Sequence, residues 1–191
     1  MDFNRAGVPL MELVTEPVIK SGKDAAAFAK ELQLLLRTLG AGEANMEKGE
    51  MRVEANVSVS AGEELGTKVE VKNINSFRAV ERAVAFEIER QGRLLRKGEK
   101  VIQETRGWNE GKQQPISQRL KEESHDYRYF PEPDLPKLKI SEIPEFDEKA
   151  LRSELPELPW ERRGRYRKDF GIKDEDIEVL MQDPQLGGIF E

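Results

Sequence analysis

The chain is 191 residues long, 37% hydrophobic and 36% charged, and it contains no cysteine. A chain of this length can bury roughly 70% of its unfolded surface without a disulfide or metal staple, and the missing cysteines exclude a disulfide framework, a thiolate metal site and a cysteine nucleophile. The formal charge of −6, from 31 Lys plus Arg against 37 Asp plus Glu, argues against a general nucleic-acid coat and leaves room for a site that holds a cation between carboxylates.

The single histidine, His125, excludes a multi-histidine metal cluster. No apolar run approaches the ~18 residues of a membrane span, and the start, Met1-Asp2-Phe3-Asn4-Arg5, has no charged-then-apolar leader. A cytoplasmic protein is expected. Residues 1–20 read as a loop followed by a short strand, Leu10-Met11-Glu12-Leu13-Val14, which Pro17 ends. Ser21 and Asp24 resemble a capping box for an amphipathic helix over 23–39, with Phe28, Leu32, Leu35, Leu36 and Leu39 at helical spacing and Gly40 as its stop.

Residues 50–60 switch to period two. Met51, Val53, Ala55, Val57 and Val59 fall on one face, and Arg52, Glu54, Asn56, Ser58 and Ser60 on the other. After a turn over 61–66, the return strand places Val69 and Val71 inward and Lys68, Glu70 and Lys72 outward. Asn75 or Ser76 then caps a second helix with Phe77, Val80, Val84, Ile88 and Leu95 on its buried side, ended by Gly98. Residues 101–108 and 116–120 form another predicted hairpin, turned at 109–112. The aromatic, proline-punctuated stretch 125–136 reads as an ordered extended loop, followed by a strand at 138–140 and a helix at 148–155. From Pro156 the texture changes to short charged helices over 160–170 and 174–181. The expected division is therefore 1–155 and 156–191, the second part being the beginning of an all-helical domain too short to bury a core alone.

There is no Walker-type phosphate loop, no dinucleotide fingerprint and no Gly-x-Ser-x-Gly elbow. The positive candidates are carboxylates. On paired strands Arg52, Glu54, Asn56, Lys68, Glu70 and Lys72 would sit about 5 Å apart. Two readings stay open for them: a solvated sheet face with cross-strand ion pairs, or acids that hold Mg²⁺ with nucleotide phosphates, flanked by basic groups on phosphate oxygens. Glu12 shares an otherwise apolar face with Leu10 and Val14, so it is either an edge acid in water or part of a site. Gln103-Glu104-Thr105-Arg106 reads as a further polar strand face. His125 fits a hydrogen-bonded loop residue better than a ligand or base. The basic run over 161–168 reads as a solvated helix face or an RNA-phosphate contact.

Four segments together resemble a known family. They are Asp2-Phe3-Asn4-Arg5-Ala6-Gly7-Val8-Pro9-Leu10-Met11-Glu12, Ala55-Asn56-Val57-Ser58-Val59, residues 66–77 (Gly66-Thr67-Lys68 through Asn75-Ser76-Phe77), and His125-Asp126-Tyr127-Arg128-Tyr129-Phe130-Pro131-Glu132-Pro133-Asp134-Leu135-Pro136. The family is GatB, the tRNA-binding partner of the amidase in the bacterial and organellar aspartyl/glutamyl-tRNA amidotransferases, and the resemblance covers essentially the whole chain. It implies an α+β fold: an antiparallel-sheet cradle, part of a glutamine-synthetase-like catalytic domain, followed by the start of a helical domain.

It also implies an activity. The acceptor end of mischarged Glu-tRNA or Asp-tRNA is bound, and its side-chain carboxylate is phosphorylated with ATP and Mg²⁺. Ammonia from the amidase, GatA, then displaces phosphate, with the small GatC clasping the GatA–GatB pair. Neither a membrane nor DNA is an expected partner. By resemblance, Glu12, Glu54 and Glu70 are candidate catalytic and metal-binding acids, and Asn56, Lys72 and Arg106 candidate nucleotide or phosphate partners. At Val53-Glu54 the family more often has Cys-Asp, which puts a longer acid at that position. The family's upstream Gly-Leu-Glu-Val-His segment is absent, so the chain alone is not expected to amidate tRNA. The competing expectation is a catalytically incomplete scaffold that keeps contacts to its partner proteins or to tRNA. An unrelated ATP-grasp or guanido-kinase-like ligase would need a nucleotide loop that the sequence lacks.

Overall fold

Local capping signals decide the two long helices. Ser21 is extended (φ −142°, ψ 162°), and its hydroxyl accepts the Asp24 amide at 3.1 Å, which starts α1 (Gly22–Thr38). Ser76 does the same for α2 (Phe77–Arg96), accepting the Ala79 amide at 3.2 Å. The computed structural model describes residues 7–120 and 133–191.

Four strands form one sheet in the order β1 (Val53–Val57), β2 (Val69–Ile74), β3 (Glu104–Asn109) and β4 (Gln114–Leu120). The two predicted hairpins are present as the antiparallel pairs β1–β2 and β3–β4. The middle pair, β2–β3, is parallel. The sheet is therefore mixed rather than the expected antiparallel one. Parallel neighbours need a crossover, and α2 supplies it, so β2, α2 and β3 make a β-α-β unit with the helix packed on one face. The other face is left open by the described helices.

The core between sheet and helix comprises Val71, Ile74, Ala79, Val80, Ala83 and Trp108. On α2 the buried stripe continues into polar residues, Glu87 and Gln91. The predicted stripe is thus rotated: Phe77 and Ile88 are half-buried and Leu95 is exposed. On α1 the buried positions are Gly22, Ala26, Ala29 and Leu34, whereas Phe28 and Leu39 are exposed. Small residues win there because α1 lies directly against α2. A Cβ added at Gly22 would run into the backbone carbonyl of Glu81.

Beyond β4 the described chain has 3-10 turns at Ile140–Glu142 and Pro144–Phe146 in place of the strand expected at 138–140. Pro144 has no amide to give to a ladder, and no described strand lies alongside to pair with this segment. Helices follow at α3 (Glu148–Glu154), α4 (Pro159–Arg165, continued by a π turn at Tyr166–Phe170), α5 (Asp174–Gln182) and α6 (Pro184–Phe190). The last has no counterpart among the expected elements; Asp183 caps it, accepting the amides of Gln185 and Leu186. Tyr166, Ile177 and Met181 are buried together with Leu34 of α1. The C-terminal helices thus find a core by packing on α1. Among the described residues, no helix is long and apolar enough to cross a membrane.

The predicted strand at 10–14 is not one. Residues 8–16 pair with no described strand, and Leu10 is 93% exposed. The apolar alternation there has no described neighbour to pack on.

Candidate functional site

The open face of the sheet carries the candidate site. Period two along β1 and β2 sends Val53, Ala55, Val69 and Val71 toward the helix and Glu54, Asn56, Glu70 and Lys72 away from it. The register is not regular: Val53 opposes Ile74, but Ala55 opposes Val71. The extra residue falls in β2 at Lys72-Asn73, and Asn73 takes the left-handed conformation (φ 60°) that asparagine tolerates. This bulge keeps both Val71 and Ile74 inward while setting Lys72 beside Glu54.

The Lys72 ammonium lies 3.4 Å from Glu54 Oε2 and 3.3 Å from Glu70 Oε1. Burial works against the charge on Lys72, but Glu54 and Glu70 outweigh it and hold its pKa above the ordinary value. The two acids differ in freedom. The Glu54 side chain is 46% exposed and that of Glu70 only 13%. Glu70 Oε2 accepts the Thr105 hydroxyl of β3 at 2.9 Å. Asn56 is paired with Glu70 in register, so the two side chains are neighbours on this face. Gly107, paired with Lys72, presents no side chain, and the Gln118 amide occupies the place where its Cβ would stand. Two grooves, of about 730 Å³ among Lys30, Arg37, Phe77, Arg162 and Met181 and about 420 Å³ along residues 141–148, lie elsewhere. Donor chemistry, not concavity, marks this face.

Arg106 does not belong to it. Its strand neighbour Thr105 faces outward with Glu70, so Arg106 points to the helix side, level with Val71. There Arg106 Nη1 donates to Glu104 Oε1 at 2.8 Å and Nη2 to the Pro115 carbonyl at 2.9 Å. Its Nε, 3.6 Å from Glu87 Oε2, is buried without a hydrogen bond. Glu87, fully buried, accepts Arg90 through both oxygens at 2.6 and 2.9 Å and Gln91 at 2.8 Å. Gln91 also ties down the end of β1, donating to the Val57 carbonyl and accepting the Val59 amide. Burial pushes the Glu104 carboxyl up, yet the hydrogen bonds from Ser117 and Arg106 and the charges of Arg106 and Arg90 outweigh it and hold it below the usual carboxylate range. The polar strand face expected over 103–106 is therefore split, with Glu104 and Arg106 locked under α2.

Glu12 sits on the exposed segment 8–16. Among the described residues no three acids form a group able to hold a metal ion, so Glu12 does not join Glu54 and Glu70 there. His125 and residues 125–132 of the aromatic stretch lie outside the described residues. The four arginines of the basic run are engaged in ion pairs. Arg162 and Arg165 bridge to Glu157, Arg165 also to Glu191, Arg163 to both Glu31 and Glu178, and Arg167 to Asp174. These pairs make the run a structural seam of the C-terminal helices.

A family model described as the GatB/GatE catalytic domain matches residues 1–144. The chain belongs to this family. Curated relatives agree along the whole length. The B subunit of the aspartyl/glutamyl-tRNA(Asn/Gln) amidotransferase of a Nostoc species is 49% identical over 100% of the chain and 39% of its own length. Its counterpart in Thermus thermophilus is 52% identical over 97% of the chain and 39% of its own, and that of Synechococcus elongatus 48% over 100% and 38%. The chain thus spans about two fifths of the length of these GatB relatives.

For a magnesium ion with nucleotide phosphates, this sheet face offers a donor set that fits. Mg²⁺ is commonly held by one or two carboxylates, with waters and substrate phosphates completing the shell. Glu54 and Glu70 supply two carboxylates that already share a cation, the ammonium of Lys72.

Proposed function

We propose that this GatB-family chain supplies the sheet face on which an aminoacyl-tRNA amidotransferase activates its substrate with ATP. The observation that carries the reading is the pair Glu54 and Glu70 converging on Lys72, beside Asn56, on the sheet face that no described helix covers. In the proposed reaction a side-chain carboxylate oxygen of the glutamate or aspartate on mischarged tRNA attacks the γ-phosphorus of ATP. ADP leaves, and an acyl phosphate forms. Ammonia, released from glutamine by GatA in a complex that also contains GatC, attacks the acyl carbon; the bond to phosphate breaks, and the proton that ammonia loses ends on the departing inorganic phosphate as hydrogen phosphate.

Each residue has a role in that scheme. Mg²⁺, when bound, supplies charge neutralisation for the phosphates. Glu54 and Glu70 would hold it. Lys72, released from the acids by the metal's charge, is suited to hold a phosphate oxygen. Asn56 offers amide donors and an acceptor for orienting a polar group. No protein nucleophile is required, since phosphoryl transfer rests on positioning and electrostatics. Arg106 has no part in the scheme, and Glu12 enters only as an acid to be tested.

Calorimetric titration of the 191-residue chain with ATP, with and without Mg²⁺, tests the reading. Magnesium-dependent binding is expected, weakened at least about tenfold by Glu70→Gln and unaffected by Glu12→Ala. Binding that ignores Mg²⁺, or that persists unchanged in both Glu54→Gln and Glu70→Gln, would overturn it in favour of the scaffold reading. The exposed position of Glu12, away from the other two acids, is the observation on the scaffold side.

A further inference from the structure

Glu70 is the less exposed of the two acids, although a glutamate on an open sheet face can reach water by a rotamer change. Something holds it down. Oε2 accepts the Thr105 hydroxyl at 2.9 Å, and Oε1 faces the Lys72 ammonium at 3.3 Å. Oε1 is thus the oxygen turned toward Glu54, whose Oε2 shares the same ammonium.

The arrangement depends on the parallel pairing of β2 with β3. Glu70 and Thr105 are register partners, and neighbouring strands lie about 4.8 Å apart, the reach of a hydroxyl to an adjacent carboxylate. A carboxylate is acceptor-only, so the hydroxyl must donate and thereby fixes the rotamer of Glu70. Threonine is common in strands for its shape alone; here its hydroxyl is spent on the acid.

We propose that Thr105 is a positioning residue that locks Glu70 so that Oε1 faces the cation position between Glu70 and Glu54. This rests on the metal-binding role proposed above for Glu70. Groups that orient a metal ligand through a hydrogen bond typically change metal affinity about ten- to a hundredfold when removed.

The test uses the full 191-residue chain with ATP and Mn²⁺ as a paramagnetic stand-in for Mg²⁺, followed by the free-Mn²⁺ signal in electron paramagnetic resonance. Thr105→Val should weaken Mn²⁺ binding about ten- to a hundredfold, while Thr105→Ser, which keeps the hydroxyl, stays within about threefold of the parent. Glu70→Gln should weaken it at least as much as Thr105→Val. Unchanged binding in Glu70→Gln would remove the metal reading itself. Loss in Glu70→Gln with parental affinity in Thr105→Val, or equal loss in the Val and Ser variants, would overturn the role of Thr105 alone. A metal-free readout separates positioning from general structure: the Glu70 side-chain carboxyl ¹³C resonance should move in Thr105→Val and not in Thr105→Ser. If Thr105→Val fails to fold, Thr105→Cys carries the same expectation, having similar size and a weak donor.

Discussion

Removing the Glu87 carboxylate should cost the fold about 3 kcal/mol. Glu87 is fully buried and accepts Arg90 on both oxygens and Gln91 on one, while Arg106 lies 3.6 Å away. With Glu87→Ala the guanidiniums of Arg90 and Arg106, both largely buried, are left to share the Glu104 carboxylate, with the Pro115 carbonyl a further acceptor for Arg106. Breaking a buried pair by deleting one partner typically costs about 3–5 kcal/mol. The Arg90 side chain keeps 19% of its surface in water and can turn further outward, which places the expectation at the lower end of that range. For a chain of this size that is a fall of about 6–12 °C in Tm. Glu87→Gln keeps hydrogen-bonding capacity but not charge and should lose about half as much. Urea unfolding followed by circular dichroism measures both. A double-mutant cycle with Arg106→Met should return a coupling of about 1–3 kcal/mol. A cost below about 1 kcal/mol for Glu87→Ala, or zero coupling, would refute the reasoning and release Arg106 from its structural role.

Three other expectations follow from the same geometry. Lys72→Met removes the ammonium that competes for the two acids, so bare Mn²⁺ should bind several-fold tighter while ATP in the presence of Mg²⁺ binds more weakly, as titration with Mn²⁺ alone and with ATP plus Mg²⁺ would record. Gly22→Ala sets a methyl group against the Glu81 carbonyl at the crossing of α1 and α2 and should destabilise by about 1–3 kcal/mol in urea unfolding, although alanine is the better helix former. Glu104 in the folded chain binds its proton less readily than its ordinary value of 4.5, so its stabilisation is complete above that pH and is lost as pH falls through the lowered folded value; Glu104→Gln should flatten the stability profile below about pH 4.5.

Much of this is legible in the sequence where the signal is local. Ser21, Ser76 and Gly98 mark helix ends by their own chemistry, and strict alternation places Glu54, Asn56, Glu70 and Lys72 on one face without knowledge of the fold. What escapes depends on pairing across the chain. The parallel run of β2 and β3 is signalled only by the helix between them, because that pairing joins residues separated by a whole helix. Thr105 gains its role only through that register. The place of Arg106 is recoverable: Trp108 belongs to the core, and period two puts Arg106 and Glu104 on the same side as Trp108. On α2 the spacing of Ala83, Glu87 and Gln91 likewise extends the buried stripe into polar residues that demand partners. The helix faces escape for a different reason. Hydrophobicity alone favours Phe28 and Leu39, whereas close contact between α1 and α2 selects Gly22, Ala26 and Ala29 by size.

In the proposed reaction the cation and nucleotide bind on the open face of the sheet. Amide resonance broadening in the ¹⁵N-labelled chain, titrated with Mn²⁺ in the presence of ATP, tests it most directly. Broadening should centre on Glu54, Asn56, Glu70, Lys72 and Thr105 and spare Glu87, Gln91 and the C-terminal helices. Broadening centred on the exposed acids of α5, or on residues lining the groove between α1 and those helices, would contradict it.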